Sequence, residues 1–329
     1  MDWFLDAETT PHKLALMVVA IALFAGVMAL ILFAVDRPKR VPSWVVAAGF
    51  CGPALLLVTI GLIYPALATI WNSFRGPDLS ASVGVSNYRA IFTTDGLQQV
   101  LGNTVLWVVL VPLISTAFGL VYAYVVDRTR FENLAKTLIF LPLAISGVAA
   151  GLIWKFVYEY RPDQAGIEQI GLLNQLMVWL GLEPQQWLLN QPWNTFFIIA
   201  VMIWINAGFA MTVLSASIKA IPDDMVEAAR LDGVSGIQMF RYVTVPAIRP
   251  ALVVVLTTVA ISTLKVFDIV FVMTGGNFGT SVVANEFYRQ SFVQANQGLG
   301  AALAVLLFVL VVPIIVYNVR QMRLAEEVR

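Results

Sequence analysis

Seven stretches of the chain are apolar over about twenty residues each, with polar segments between them: 14–35, 44–70, 101–126, 137–158, 194–215, 251–273 and 299–317. A helix of that length spans the hydrocarbon of a bilayer, where each backbone amide must find its partner inside its own segment. The pattern therefore predicts an all-α fold, a polytopic membrane helix bundle of about seven spans. Pro53, Pro65, Pro112, Pro142 and Pro313 fall inside the stretches. A helix in water tolerates them poorly, whereas neighbouring helices in a bundle accommodate them. Trp44 and Trp71 bracket the second stretch as interfacial anchors do. Asp2, Asp6 and Glu8 precede the first stretch and no small-residue cleavage site follows it, so it is expected to be a true span rather than a signal peptide.

Residues 219–250, KAIPDDMVEAARLDGVSGIQMFRYVTVPAIRP, break this pattern with a long polar insert. Pro222 suits the first turn of a helix, and Asp223 and Asp224 sit where the helix dipole favours negative charge. Gly233 is expected to end that helix in a left-handed conformation, Ser235 to cap the next, and Pro246 to stop it. The insert thus reads as two short helices at a bend, a compact knob. Residues 159–193 form the other long connection. Its apolar positions Ile167, Ile170, Leu173, Leu176 and Met177 recur at helical spacing, which predicts an amphipathic helix lying at the interface or packed over the bundle as a lid.

Composition agrees with a membrane chain: 59% of the 329 residues are hydrophobic and 12% charged, with mean hydropathy +0.82. Twenty basic residues balance twenty acidic ones, which gives no argument for nucleic-acid binding. Cys51, the single cysteine, is expected as a small buried hydrophobe, and the lone His12 has no company for a metal site. Placement of charge sets orientation. Arg37, Lys39, Arg40, Arg128, Arg130, Lys136, Lys219, Arg230, Arg241, Arg249, Arg320, Arg323 and Arg329 fall on one side of the predicted topology, thirteen in all. Only six, Lys13, Arg75, Arg89, Lys155, Arg161 and Arg289, fall on the other. The positive-inside rule makes the first side cytoplasmic, with the N-terminus outside, the C-terminus inside and the insert in the cytoplasm.

Within the insert, Glu227-Ala228-Ala229 is followed after three residues by Gly233 and after nine more by Val243-Thr244-Val245-Pro246. This resembles the EAA signature of permease subunits in binding-protein-dependent ABC importers, with Val243 and Val245 in place of the usual Ile and Leu. Ile221-Pro222-Asp223-Asp224, Phe240, Pro250 and Val272-Met273-Thr274-Gly275-Gly276 are similar to the sugar-importing branch, and the additional first span to the larger permease of the maltose and α-glucoside type. The resemblance implies a division at about residue 43 between an extra N-terminal helix with its basic loop (1–43) and the importer domain (44–329). It implies a transport subunit, not an enzyme, in a bacterial or archaeal cell membrane. The implied partners are a second homologous permease, two ATPase subunits that bind ATP and Mg, and an extracytoplasmic sugar-binding protein delivering a di- or oligosaccharide. Glu227 would contact the ATPase, Ala228 and Ala229 would permit close approach, Gly233 would form the bend and Asp232 would cap or pair locally. No G-x-x-x-x-G-K-[ST] phosphate loop occurs, and the glycine-rich 274–281 lacks its lysine, so no catalytic or cofactor residue is expected in the chain itself.

Polar groups inside an apolar bundle are functional candidates because hydrocarbon makes them expensive. Lys265 and Asp268, three apart on the sixth stretch, are expected on one helical face, either as a structural ion pair or as part of a sugar path. Asn206 is the other buried polar candidate, with Phe267 and Trp204 as rings for a sugar face. An ion-coupled carrier or channel is the alternative reading, with Lys265 and Asp268 as its coupled pair.

Overall fold

The computed structural model describes residues 10–36, 42–127, 129–162 and 169–327. Arg37, Lys39, Arg40, Arg128, Ile167 and Arg329 lie outside the described residues, as do the side chains of His12 and Arg323. The chain forms two units, residues 1–68 and 69–329. The first holds α1 (Thr10–Asp36), α2 (Ser43–Val58) and a π-helical turn, Thr59–Ile63, that leads into α3 (Tyr64–Asn72). Proline cannot donate to the ladder and its ring crowds the carbonyl four residues back; the widened turn just before Pro65 relieves both. Cys51, expected to be buried, is exposed on α2, where nothing but apolar neighbours surrounds it in sequence.

The second unit is built on α4 (Ser86–Thr93), α5 (Asp95–Val126), α6 (Glu132–Phe140), α7 (Gly147–Val157), α8 (Leu172–Trp179) and α9 (Trp193–Lys219). The polar insert follows as α10 (Asp223–Leu231), α11 (Gly236–Gln238), a π-helical stretch Met239–Thr244 and α12 (Val245–Ala247). The chain then runs through α13 (Arg249–Leu264), α14 (Asp268–Thr274), α15 (Val283–Tyr288) and α16 (Gln297–Glu327). Among the described residues, four helices are long and apolar enough to cross a membrane unbroken: Ala47–Asn72, Asp95–Val126, Trp193–Lys219 and Gln297–Gln321. Counting two bent pairs as crossings makes six, and α1 adds a shorter apolar run, Lys13–Ala29.

Two of the expected spans are interrupted, while the second bent pair turns by 69° at Ile248, just before the sixth. The fourth is not one helix: Glu132–Ala144 and Gly147–Val157 meet at 102°. Pro142 sits in a 3₁₀ turn there, and the Ser146 hydroxyl caps the second half by accepting from Ala149 N at 3.2 Å. The sixth stretch breaks as well, after Leu264. The hydroxyls of Ser262 and Thr263 both donate to Val259 O, at 2.8 and 2.7 Å, and so compete with the backbone ladder where the helix ends.

Helices α5 and α9 form the centre. Trp107, Val111, Ile198, Met211 and Leu214 are all fully buried between them and their neighbours. Their close approach depends on glycine: a Cβ on Gly119 would stand 2.4 Å from Ala210 Cβ and 2.7 Å from Met211 N. On the opposite side of α9, a Cβ on Gly208 would stand 2.4 Å from the Ile139 carbonyl oxygen of α6. A second cluster, with Ile91, Val100, Val283 and Leu303, joins α4, α5, α15 and α16. Outward faces carry Val105, Leu113, Phe118, Phe308 and Val316, a surface suited to hydrocarbon. The expected amphipathic helix is short: α8 packs on the bundle through Leu173 and the fully buried Asn174, while Leu172, Leu176 and Trp179 are exposed.

Gly119→Val should lower the thermal stability of the purified protein by roughly 1–3 kcal/mol through overpacking. Gly102→Ala, on the same helix with nothing within 4 Å of its new methyl group, should leave it unchanged or slightly raised. Thermal unfolding in detergent measures both.

Candidate functional site

The insert folds by local chemistry. Helix α10 begins after Pro222, which sits at the N-cap with φ −58° and ψ 135°, and carries Asp223 and Asp224 in its first turn. At the far end Gly233 N donates to Arg230 O (3.0 Å) and Val234 N to Ala229 O (3.1 Å), with Gly233 at φ +78°. This is a Schellman cap, and its left-handed residue favours glycine. Asp232 occupies the C-cap, its own N–H donating to Ala228 O at 3.0 Å. Two residues on, Ser235 and Gln238 form a reciprocal capping box: Ser235 N donates to Gln238 Oε1 at 2.8 Å and Gln238 N to Ser235 Oγ at 3.4 Å. Pro246 was expected to stop the second helix. It does not, because the wide turn at Met239–Thr244 precedes it, as at Pro65; the chain bends two residues later, at Ile248.

The result is a knob with a polar body and two bare apolar side chains, Leu231 at 89% and Ile237 at 83% exposure. Glu227 and Ala228 are exposed and Ala229 half-buried. Phe240 ties the knob to the bundle: its ring meets Tyr124 of α5 edge-on at 4.8 Å, and the Tyr124 hydroxyl donates to Gly236 O at 3.2 Å. At its root, charges from three elements converge. Lys136 Nζ lies 2.7 Å from Asp127 Oδ1 and 2.8 Å from Glu132 Oε1, and also donates to Ser215 Oγ. Lys219, the last residue of α9, pairs with Glu132 and lies 3.7 Å from Asp127. Sequence reasoning missed this cluster, since Asp127, Glu132, Ser215 and Lys219 come together only in the folded chain.

The candidate path residues are distributed differently from expectation. Lys265 caps the end of α13 and Asp268 opens α14, so the two do not share a helical face, and among the described residues they form no ion pair. Both are exposed. The ion-coupled alternative relied on that pair. Phe267 lies in the break and packs on Phe271 and Tyr288, ring centroids 5.0 and 5.1 Å away. Asn206 is buried as expected, yet its amide donates to Met202 O of its own helix at 2.8 Å. Trp204 meets Trp154 edge-on at 5.6 Å.

The two broken spans meet. A Cβ on Gly147, the first residue of α7, would stand 3.3 Å from the Asp268 carboxylate, and one turn on Gly151 faces Val272. The start of α7 and the start of α14 therefore lie together beside Asp268. Beyond α14, Gly275, Gly276 and Gly279 all adopt positive φ. Asn103 holds the resulting loop through Gly279 O (2.6 Å) and Ser281 O (2.9 Å), and Asn194 through Phe278 O (2.8 Å). No group of three or more metal-ligating side chains occurs among the described residues.

The profile of the family described as "binding-protein-dependent transport system inner membrane component" matches residues 115–323, which include the knob and every candidate path residue. The chain belongs to this family. This transport component is 48% identical to an osmoprotective-compound uptake permease of Synechocystis sp., over 84% of this chain and 99% of that one. It is 46% identical to an α-glucoside transport permease of Rhizobium meliloti, covering 82% and 80%. A trehalose/maltose transport permease of Thermococcus litoralis is 30% identical, covering 79% and 87%. The fold is shared with a chain of a crystallised bacterial alginate importer, with TM-score 0.71, 23% identity, and 85% of this chain and 95% of that one covered.

Removing a cation from the charge cluster should have unequal effects. Lys136→Met takes the nearer cation from Asp127, whose side chain is 9% exposed, leaving it the Ser215 hydroxyl and the more distant Lys219, and should destabilise the transport component by roughly 1–3 kcal/mol. Lys219→Met removes a half-exposed partner and should have an effect of about 0–1 kcal/mol. Thermal unfolding of the two variants measures the difference, and Lys136→Arg should recover part of the loss.

Proposed function

We propose that this chain is the permease subunit of an ATP-driven importer for a neutral, polyhydroxylated cargo of the α-glucoside type, received from an extracytoplasmic binding protein. The observation that carries the reading is the knob at 222–248. Its Glu227-to-Pro246 spacing stands on a rigidly capped pair of helices with bare Leu231 and Ile237, and an exposed apolar patch on a polar element fits docking against another protein. The names of the relatives support the cargo class, since permeases for α-glucosides and for trehalose and maltose are among them.

In this reading the N-terminus is outside, the C-terminus and the knob are in the cytoplasm, and the membrane is the inner membrane of a bacterium or archaeon. A separate ATPase hydrolyses ATP with Mg and seats α10, with two ATPase copies serving this chain and a second, related permease. Glu227 makes the charged contact, and Ala228 and Ala229 let the partner approach. Closure of the ATPases pushes the knob as one body, because Gly233 and the capping box fix its two helices. The push reaches α5 through Tyr124 and Phe240, and α9 through Lys219 and the charges at 127, 132 and 136. Helix α9 carries Asn206, and the bundle leads on to the breaks at 144–147 and 264–268, where Lys265, Phe267 and Asp268 face the cargo.

The Glu227→Lys, Gly233→Val double variant should lose co-purification of the ATPase and at least nine-tenths of α-glucoside uptake, while still inserting in the membrane. A double variant that keeps both the ATPase and uptake sinks the coupling reading. Uptake that persists in vesicles without ATP would return the argument to an ion-coupled carrier.

A further inference from the structure

A cavity of about 440 Å³ lies between the end of α7, the end of α14 and the segment around residue 187. It contains none of the path residues Asn206, Lys265, Phe267 and Asp268. Its back wall is aromatic, and its polar atoms are already engaged. The Tyr158 hydroxyl donates to Phe197 O at 3.2 Å and the Trp187 indole N–H to Asn174 Oδ1 at 2.9 Å, so both rings are held in place. Asn174 also accepts from Gln185 N and donates to Glu159 O, which fixes the backbone on both sides of the opening.

The rim has the opposite character. Lys155, Glu159 and Gln186 bring an ammonium, a carboxylate and an amide to the cavity. Among the described residues the side chains of Glu159 and Gln186 make no hydrogen bond or ion pair, and Lys155 reaches only Val272 O, at 3.4 Å. Phe271 and Phe278 close the sides, 44% and 49% exposed.

A small occupant must therefore offer donors to Glu159, acceptors to Lys155, and apolar C–H faces to the rings. An anion would meet Glu159, a cation would meet Lys155, and an apolar molecule would leave both unsolvated. A neutral polyol satisfies all of them, because each hydroxyl both donates and accepts. The volume lies in the range of small-molecule sites. Position adds to the chemistry. Helix α14 begins at Asp268 and lines the cavity from Phe271 to Thr274, so the cavity lies about 5–10 Å further along the same helix.

We propose that this cavity is a second carbohydrate station, holding a neutral sugar one helix length from the path residues before it moves inward. The inference rests on the functional reading above for its ligand class. The assembled importer, with its ATPases and binding protein, provides the test, with trehalose as the probe. In the Glu159→Gln, Gln186→Ala variant the KM for uptake should rise about tenfold, as the loss of a hydrogen bond to a charged group predicts, while the maximal rate and the stability hold. Saturation-transfer NMR of trehalose with the complex, without ATP or binding protein, should give a signal that this variant loses and that Lys265→Ala keeps. Glu183→Gln, an exposed carboxylate outside the cavity, should match the parent in both measurements.

An unchanged KM and an unchanged NMR signal in the double variant overturn the station while leaving the importer reading intact. A parent complex that neither binds nor transports trehalose, maltose or any other α-glucoside overturns both. A signal seen only at trehalose concentrations far above the uptake KM marks non-specific binding and also overturns the station.

Discussion

Hydrocarbon offers no partner to an amide that leaves its helix, so a membrane span can bend only where protein covers the bend. Two spans of this bundle are interrupted, and the interruptions lie against each other. The 102° turn before α7 and the break before α14 abut at Gly147 and Asp268, with Gly151 and Val272 packed one turn beyond. Their contact sets α7 and α14 side by side, and elsewhere α9 approaches α5 and α6 so closely that Gly119 and Gly208 admit no side chain. Polar groups that would be intolerable on a lipid-facing helix, Lys265 and Asp268 above all, gain a place at this junction.

The knob obeys a different constraint. In water its helices are too short to persist on propensity, since an isolated helix of nine residues is marginal. Caps hold it instead: both ends of the bend are closed by hydrogen bonds within 228–238, and the ring pair Tyr124 and Phe240 anchors it to α5. The charge cluster at its root adds direction, because Lys136 and Lys219 each bridge to the same two carboxylates from different helices. The cluster thus ties the end of α9, from which the knob springs, to the α5–α6 connection.

Much of this was legible in the residues. Apolar runs located the long helices to within a few positions, and Pro222, Gly233 and Ser235 announced the knob because capping is a local affair of donors and acceptors. Legibility failed where non-local or competing hydrogen bonds decide. The sixth span reads as one helix until Ser262 and Thr263 are seen bonding back to Val259 O, and then the i, i+3 argument for Lys265 and Asp268 dissolves. Pro246 reads as a stop, but a widened turn carries the helix through it. The cluster at 127, 132, 136, 215 and 219 left no trace in any single window, and neither did the fixed rings of Tyr158 and Trp187. Spacing records what a residue does to its neighbours in sequence, and these groups act across the bundle.

The Schellman cap at Gly233 and the capping box at Ser235 draw on no residue outside the knob itself. Shape written in so short a span is insulated from drift in the rest of the chain. Substitutions in the cavity walls or at the helix breaks can reshape the bundle without disturbing the knob. The form of the knob and the form of the bundle are therefore separable traits in this architecture, free to diversify at different rates.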